Sequence, residues 1–395
     1  MKELPKIVLK SGKDQSLMRF HPWVFSGAIK KVYGDVKEGD WVDVYNNKDQ
    51  FLARGHYQNS SIAVRVLSFN SKESAEEIYQ KRILNAYRLR KQLGLPDLEN
   101  TNVFRLINAE GDGLPGLIVD YYAGTLVLQM HSAGMYHDLN VIINYLKNLP
   151  GLDVSSIYNK SKSTLPYKSG IDIDDDFLSG EAKSHLVSEY GCKFHIDIAE
   201  GQKTGFFIDQ RENRRLLEKY SEGRNVLNMF GYTGGFSVYA LRGGARLVHT
   251  VDASKKAAEL SEENVRLNLF KESNHQSFAR DAFDFFADPP HKYDLIILDP
   301  PAFAKHHNVL SNALQGYKKI NRKAFEIIEP GGIVFTFSCS QVVSKENFRK
   351  SVFTAAANTG RNVQLLHQMS QPADHPVSIY HPEGEYLKGL VLKVD

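Results

Sequence analysis

The stretch Asn225-Val-Leu-Asn-Met-Phe-Gly-Tyr-Thr-Gly-Gly-Phe-Ser237 decides the fold. Its first half is mostly apolar and predicts a short buried strand, and three glycines follow at Gly231, Gly234 and Gly235. Glycine has no Cβ, so the chain can turn sharply there and approach a ligand closely. An apolar pattern at helical spacing then covers residues 236–241. A strand, a glycine turn and a helix begin a doubly wound α/β domain, whose ligand lies beyond the carboxyl end of the strand.

Two acids at the ends of the next predicted strands make the glycine turn more specific. Asp252 ends the segment 249–252, 21 positions after Gly231, where an acid can accept both hydroxyls of a ribose. Asp281 ends the segment 277–281, where an acid or its neighbouring amide can recognise an adenine edge. Together the turn and the two acids predict a cofactor that contains adenosine. A purely structural role for all three stays open at this point.

Two later strands end in residues with distinctive chemistry. The segment Tyr293–Asp299 leads into Pro300-Pro301, and the segment Gly331–Ser338 leads into Cys339-Ser340. Because the carboxyl ends of parallel strands meet at one edge of a sheet, both sites are expected to face the crevice beside the glycine turn.

Composition limits the class of protein. A chain of 395 residues predicts two or three domains, and 42% hydrophobic with 24% charged residues is typical of a soluble globular protein. The apolar runs are too short for a membrane span, and the first residues lack the apolar core of a signal peptide, so we expect a cytoplasmic protein. Cys192 and Cys339 could pair in principle, but a reducing cytosol disfavours a disulfide framework, and the Cys and His spacing predicts no metal site.

Charge is unevenly distributed along the chain, although the net charge is only +3. Residues 1–72 hold 12 Lys and Arg against 7 Asp and Glu, residues 73–190 hold 11 against 16, and residues 191–395 hold 26 against 23. Basic outer parts around an acidic middle favour contact with a polyanion. Solvated faces that differ by chance explain the same numbers, so charge alone leaves both interpretations open.

Three domains are predicted from the pattern of elements. Residues 1–72 show short strands separated by turn signals, which favours a small β-barrel. Residues 73–190 combine an amphipathic helix at 74–93 with a hairpin and a second helix at 136–149, which predicts a mixed α+β domain. Residues 191–395 carry the doubly wound pattern. Five basic residues of the barrel could meet phosphates, namely Arg19, Lys30, Lys31, Arg54 and Arg65.

Several motifs resemble those of one known family. His21-Pro-Trp-Val-Phe-Ser-Gly27, with Gly55 later, resembles a PUA domain, an RNA-binding barrel. Asp-Pro-Pro after a fourth strand resembles the substrate-side motif of S-adenosylmethionine-dependent methyltransferases that act on nucleobases. From Trp23 onward the chain is similar to bacterial 23S ribosomal RNA cytosine-C5 methyltransferases. The runs that carry this similarity are Lys203–Arg211, Asn228–Gly235, Asp299–Pro301 and Phe337–Ser340.

The resemblance implies an architecture, a cofactor and a set of site residues. It implies a PUA-like β-barrel, a small α+β domain and a Rossmann-like class I methyltransferase domain with a seven-stranded sheet. S-adenosylmethionine is then the cofactor and large-subunit ribosomal RNA the partner, with no membrane contact and the oligomeric state, a homodimer included, left open. Cys339 and Asp299 would be catalytic. The cofactor would contact Phe206, Phe207, Asp209, Asn228, Phe230, Gly231, Gly234, Asp252, Ala253, Asp281, Ala282, Asp299 and Pro300.

The expected chemistry explains why a cysteine is needed. Carbon 5 of cytosine is a poor nucleophile, and a thiolate that adds to carbon 6 activates it. The base must leave any helix to reach the pocket. Most members of the family carry a second cysteine after the proline of the fourth-strand motif, but Ala302 stands here, so the group that helps to release the base is not identified.

Other functions compete with this interpretation. A methyltransferase acting on a purine nitrogen would also use Asp-Pro-Pro but would need no nucleophile, and an RNA-binding protein without catalysis would need none of these residues. A nicotinamide oxidoreductase is expected to show Gly-x-Gly-x-x-Gly, which the glycine turn lacks. Cys339 favours methylation of carbon over methylation of nitrogen.

Overall fold

The computed structural model describes residues 4–181, 186–268, 274–304 and 306–395. Within those ranges the chain forms two compact units. Unit 1 contains the chain up to residue 181 together with residues 197–205 and 373–384, and unit 2 contains residues 186–196, 206–372 and 385–395. The division of the sequence at residues 72 and 190 stays a prediction.

Unit 1 begins with a sheet whose strands follow the order β2-β6-β5-β4-β1-β3 in the described residues. β1 pairs in parallel with β4, and the other ladders are antiparallel. Alternate apolar side chains of these strands form one core cluster around Ile7, Val44 and Val64. The elements are β1 (Lys6–Leu9), α1 (Gln15–Met18), β2 (Trp23–Phe25), β3 (Ile29–Tyr33), β4 (Trp41–Tyr45), β5 (Phe51–Tyr57) and β6 (Ile62–Ser68).

A second sheet of unit 1, in the order β11-β10-β9-β8-β7, packs with three helices around a separate core cluster. The first of these helices, α2, begins at a capping box in which Ser74 and Glu77 bond each other's backbone amides. The elements are α2 (Ala75–Gln92), β7 (Val103–Asn108), β8 (Leu117–Tyr122), β9 (Thr125–Met130), α3 (Ala133–His137), α4 (Leu139–Lys147), β10 (Ser156–Asn159) and β11 (Asp176–Ser179).

Asp138 explains why the helix predicted over 136–149 is two helices. The residue lies between α3 and α4, and its Oδ2 accepts hydrogen bonds from Trp41 Nε1 at 2.9 Å and Tyr79 Oη at 2.8 Å. His56 Nε2 lies 3.0 Å from the same oxygen. Through these contacts Asp138 connects β4 and β5 of the first sheet with α2. The predicted helix is therefore interrupted at a residue whose side chain bonds both the first sheet and α2.

Unit 2 follows the βαβ pattern predicted from the sequence. A hairpin of β12 and β13 precedes it. The elements are β12 (Leu186–Glu189), β13 (Cys192–His195), α5 (Arg211–Glu218), β14 (Asn225–Met229), α6 (Gly235–Arg242), β15 (Leu247–Asp252), α7 (Lys255–Leu267), β16 (His275–Ala279), α8 (Ala282–Ala287), β17 (Tyr293–Leu298), α9 (Leu310–Ile327), β18 (Ile328–Ser338), α10 (Lys345–Thr359), β19 (Val363–Met369) and β20 (Lys388–Val394).

The main sheet of unit 2 has the strand order β16-β15-β14-β17-β18-β20-β19, seven strands among the described residues. The first five are parallel, and β20 runs antiparallel to both of its neighbours. β14 has β15 on one side and β17 on the other, so the order of connection reverses there, and a ligand crevice is expected at that point. The predicted doubly wound α/β class is confirmed. No helix of the described ranges is long and apolar enough to cross a membrane.

A glycine of unit 1 offers a test of the packing. A Cβ at Gly55 would lie 2.0 Å from the carbonyl oxygen of Arg65 on β6, and no rotamer change can relieve a clash with backbone. We therefore expect Gly55→Ala to lower the free energy of unfolding by about 1–3 kcal/mol. Gly27→Ala is the matched control, because a Cβ there meets nothing within 4 Å, and it should change stability by less than about 0.5 kcal/mol. Urea unfolding of both variants checks this, and equal midpoints would contradict the packing argument.

Candidate active site

The glycine turn after β14 is shaped by its contacts within the protein. Phe230 has φ 62° and Gly234 has φ 74°, in the left-handed region. A Cβ at Gly231 would lie 2.2 Å from Cγ2 of Thr250 on β15, and one at Gly234 would lie 2.4 Å from Oγ of Ser261 on α7. The glycines thus allow the turn to lie directly on β15 and α7 and to start α6. Contact of this turn with the cofactor stays a prediction.

Asp252 is held at the end of β15 beside this turn. Its Oδ2 accepts a hydrogen bond from the amide of Tyr232 at 3.1 Å, and its Oδ1 accepts one from the amide of Ser254 at 2.9 Å. Each carboxylate oxygen has two lone pairs, so the pair can still accept two ribose hydroxyls. Ala253 next to it is exposed. The Asp252 carboxylate, in the orientation that the two amides fix, therefore fits the ribose of an adenosine cofactor.

Asp281 has a structural role that the sequence analysis did not predict. It is the N-cap of α8, and its Oδ1 accepts hydrogen bonds from the amides of Phe283 at 2.8 Å and Asp284 at 3.3 Å. A carboxylate at this position satisfies amides that the first turn of a helix leaves unpaired. Ala282 behind it is buried. Recognition of an adenine edge by this acid or its neighbouring amide stays a prediction.

Asn228 contacts protein groups in the sheet. Its Nδ2 donates to Ser237 Oγ at 2.8 Å, and that hydroxyl lies 2.6 Å from Thr250 Oγ1, which lies 2.8 Å from His275 Nε2. This buried polar chain joins β14, α6, β15 and β16. The amide therefore fixes the strand that precedes the glycine turn, and a cofactor contact of Asn228 stays a prediction.

Residues 206–210 lie against the glycine turn within unit 2. The ring of Phe207 meets the ring of Tyr232 edge to face, with centroids 5.3 Å apart. Asp209 is buried and accepts a hydrogen bond from Tyr386 Oη at 2.7 Å. The N-cap of α5 is Gln210, the residue after Asp209. The contact of Phe207 supports the prediction that this segment borders the cofactor.

A buried ion pair that sequence reasoning missed fixes this segment. Arg214 Nε and Nη2 donate to Glu189 at 2.8 and 2.7 Å, and Arg214 Nη1 donates to the carbonyl of Phe207 at 3.0 Å. The guanidinium also lies over the ring of Phe206, 4.7 Å from its centroid. Burial by itself lowers the pKa of Arg214, but the Glu189 carboxylate raises it overall, so the guanidinium stays charged. The two residues are 25 positions apart, and no local pattern connects them.

Asp299 follows β17, across the switch point from the glycine turn. Its Oδ2 accepts a hydrogen bond from Gln210 Nε2 at 3.0 Å, and Gln210 Oε1 accepts one from Asn213 Nδ2 at 2.6 Å. Pro300 behind it is buried. Gln210 thus orients the Asp299 carboxylate. It lies inside the run Lys203–Arg211 that carries part of the family resemblance, which is the signal that could have identified it.

Cys339 lies at the end of β18, next to the end of β17. Its Sγ is 3.9 Å from the carbonyl oxygen of Pro300. The flanking serines are fixed to the fold, because Ser338 Oγ donates to Tyr317 Oη at 2.9 Å and Ser340 Oγ donates to the carbonyl of Ala304 at 2.6 Å. The structure therefore brings the Asp-Pro-Pro motif and the cysteine together, as predicted. A half-buried thiol at this edge can attack a planar base held beside Asp299.

Comparisons with known proteins identify the family. A model of the S-adenosylmethionine-dependent methyltransferase family matches residues 105–378, and a PUA-like domain model matches residues 7–69. The chain belongs to the S-adenosylmethionine-dependent methyltransferase family. It is 40% identical to the ribosomal RNA large subunit methyltransferase I of Aeromonas salmonicida, with 98% of each chain covered, and 38% identical to that of Klebsiella pneumoniae strain 342, with 99% and 98% covered. The predicted combination of a PUA-like domain with a methyltransferase domain is confirmed, as is S-adenosylmethionine as the cofactor.

Solved structures show the same fold. A candidate methyltransferase from Streptococcus mutans has a TM-score of 0.84 at 24% identity, covering 98% of this chain and all of that one. A second structure, of a methyltransferase candidate complexed with SAH, gives 0.85 at the same identity and coverage. Within the described residues no group of three or more His, Cys, Asp or Glu side chains could hold a metal ion.

Asp252 generates the prediction for cofactor binding. Asp252→Ala should weaken S-adenosylmethionine by about 1.5–3 kcal/mol, the range for hydrogen bonds to a charged group, or roughly 10- to 150-fold in Kd. Asp284→Ala makes the same change of charge at an exposed acid of α8 and should bind normally. Titration calorimetry measures both. Unchanged affinity of Asp252→Ala would remove this carboxylate from the ribose site.

Proposed function

We propose that this enzyme methylates carbon 5 of a cytosine in 23S ribosomal RNA through a covalent bond between Cys339 and the base. One observation carries the proposal: the Cys339 thiol and the Asp299 carboxylate stand at neighbouring strand ends, beside the switch point of the sheet. The relatives are ribosomal RNA large subunit methyltransferases, which supports large-subunit ribosomal RNA as the substrate. Such a substrate agrees with a cytoplasmic enzyme.

Cys339 performs the activation that cytosine requires. The thiolate adds to carbon 6, so that an S–C bond forms and the electron pair of the C5–C6 double bond makes carbon 5 nucleophilic. S-adenosylmethionine supplies an electrophilic methyl group when bound. After carbon 5 gains the methyl group and loses its proton, the S–C bond breaks and the thiolate is regenerated. The fixed serines on either side hold the thiol at the strand end during these steps.

Asp299 orients the base for this attack. A carboxylate accepts hydrogen bonds, so it can hold the exocyclic amine or the protonated ring nitrogen of cytosine. The hydrogen bond from Gln210 fixes the rotamer of Asp299, which sets the face of the base that meets the thiol. The base must be unpaired or flipped to enter this crevice.

Fewer basic residues of the PUA-like domain are placed to contact RNA phosphates than the sequence suggested. Arg54 forms a bidentate pair with Asp43 at 2.7 and 2.9 Å, and most of the Arg65 side chain is buried, which lowers its pKa. Arg65 also donates to Gln58, so both arginines have protein partners and are poorly placed to contact phosphates. Arg19 is exposed, as are Lys30 and Lys31 on β3, and these are the three of the five basic residues that we propose for the RNA backbone.

The aromatic residues of the same domain differ in accessibility. Trp23 Nε1 donates to Glu110 at 2.9 Å, and the indole packs on His381 with centroids 4.3 Å apart. Trp23 is thus half-buried and held by partners within unit 1. Phe25 is 47% exposed, so it is the aromatic residue of this pair that could stack on a base.

The central prediction concerns Cys339. Cys339→Ala should abolish methylation and leave S-adenosylmethionine binding near wild type, because the thiolate acts on the base and not on the cofactor. Cys192→Ala is the control and should stay active, since Cys192 is buried and burial raises the pKa of its thiol to about 12. Methyl incorporation into ribosomal RNA from cells that lack the gene, with mapping of the modified carbon, measures the effect.

A trapped adduct tests the covalent step directly. RNA with 5-fluorocytosine at the target should form a stable complex with wild type and cofactor, because fluorine cannot leave as a proton does and elimination is blocked. Cys339→Ala should form none. Full activity of that variant, or an adduct on another residue, would exclude the carbon-5 mechanism and favour methylation of a purine nitrogen.

The RNA surface gives a separate prediction. The double variant Lys30→Gln/Lys31→Gln should bind RNA more weakly, and the slope of log K against log salt should fall by about 0.7–0.9 for each phosphate that the protein no longer neutralises. The double variant Lys147→Gln/Lys219→Gln removes the same charge from exposed positions elsewhere and should keep the wild-type slope. Filter binding at several salt concentrations measures both. Equal slopes for the two variants would show that β3 does not contact the RNA backbone.

A further inference from the structure

Lys388 is a buried lysine beside the nucleophile that the mechanism above does not use. It begins β20 and lies directly opposite Ser338 in the antiparallel ladder with β18. Its side chain reaches past this pair, and Nζ donates to the carbonyl oxygen of Ser340 at 2.6 Å. The residue is only 5% exposed. The ammonium therefore contacts the backbone that immediately follows Cys339.

Burial of this ammonium calls for a compensating negative charge. A cation removed from water is costly unless it is paired, and the Ser340 carbonyl supplies only a dipole. The nearby acid Glu385 forms an ion pair with Lys345 at 2.7 Å. Burial lowers the pKa of Lys388 to about 8, although a negative charge on Cys339 acts in the opposite direction and favours the ammonium. Because this interaction is mutual, the ammonium also favours the ionised form of the thiol.

The neighbouring charged and titratable groups act on these two residues in opposite directions. Lys345 and Arg349 of α10 line a cavity of about 140 Å³ with Lys388, and both are cations that disfavour a further positive charge there. On the other side, Asp299 is an anion at the end of β17 and opposes a thiolate. Burial raises the pKa of Tyr317 to about 12, so its hydroxyl is neutral and adds no charge. Among these cations, Lys388 is the one that bonds the backbone next to Cys339, at the carbonyl of Ser340.

We propose that the Lys388 ammonium increases the fraction of Cys339 that is present as the thiolate in the free enzyme. The proton leaves Sγ for solvent, and the ammonium offsets the negative charge that remains. Lys388 acts through Cys339 and is therefore a positioning residue for the nucleophile. Its importance for methylation rests on the function proposed above, but its effect on the thiol does not.

Alkylation of Cys339 by iodoacetamide, followed by peptide mass spectrometry between about pH 5.5 and 10, measures the ionised fraction without RNA or cofactor. In wild type the midpoint should lie about one pH unit below the ordinary value of about 8.5. Lys388→Met should raise the midpoint by about one unit, which is roughly a tenfold slower reaction at about pH 7. Lys388→Gln can still donate to the Ser340 carbonyl and should show the same shift, whereas Lys388→Arg keeps the charge and should not.

Lys393 provides a matched control on the same strand. Lys393→Met removes the same charge at the far end of β20 and should leave the midpoint unchanged. Two results would overturn the proposal: a midpoint at or above about 8.5 in the wild-type protein, or a midpoint in Lys388→Gln that equals that of wild type. The first result is measured on the wild-type protein alone, so it does not depend on the folding of a variant. If Cys339→Ala methylates normally while the midpoint still shifts, the proposed function fails and the role of Lys388 stands. If Cys339→Ala is inactive but the Lys388 variants leave the midpoint unchanged, the proposed function stands and the role of Lys388 fails.

Discussion

The buried ion pair between Arg214 and Glu189 is the constraint on which the cofactor side of unit 2 depends. Its two parallel hydrogen bonds fix both distance and angle between α5 and the β12–β13 hairpin, which apolar contacts would not do. Tyr239 of α6 donates to the same carboxylate at 3.0 Å, so the helix that follows the glycine turn is joined to the pair. With both charges buried, loss of either partner would leave an unpaired charge and cost about 3–5 kcal/mol. The third guanidinium nitrogen holds the carbonyl of Phe207, and through Phe207 the pair sets where residues 206–210 meet the glycine turn.

The parallel sheet explains how residues far apart in sequence reach one edge. β15, β14, β17 and β18 all end on the same side, so Asp252, Asp299 and Cys339 stand in a row that the strand order dictates. The sheet places these residues but does not orient their side chains. Backbone amides orient Asp252, and Gln210 orients Asp299. Orientation therefore depends on the loops and on α5, which is why the ion pair that holds α5 matters for the chemistry of the strand ends.

Sequence alone predicted those parts of the fold and site that follow from local pattern. The apolar run and the glycine turn around Gly231 predicted β14 and α6, and residues that end strands, such as Cys339, could be placed because strand ends share an edge. Long-range partners could not be predicted. Arg90 Nη2 donates to the carbonyl of Asp374, 284 positions away, and the backbone amide of Arg105 donates to the Asp374 carboxylate, 269 positions away. These bonds hold residues 373–384 in unit 1. The N-cap role of Asp281 depends on where α8 begins, and the sequence pattern is least informative about such boundaries.

The Ser-Cys-Ser run shows how one short motif can separate support from reactivity. A nucleophile must be held in place while its sulfur stays available for the substrate. Here the hydroxyls of Ser338 and Ser340 bond Tyr317 and Ala304, and neither of these bonds involves the sulfur. The backbone on both sides of the thiol is thus fixed by neighbours that do not react. Position is supplied by the serines, and the reactivity of the sulfur is left to the charges that surround it.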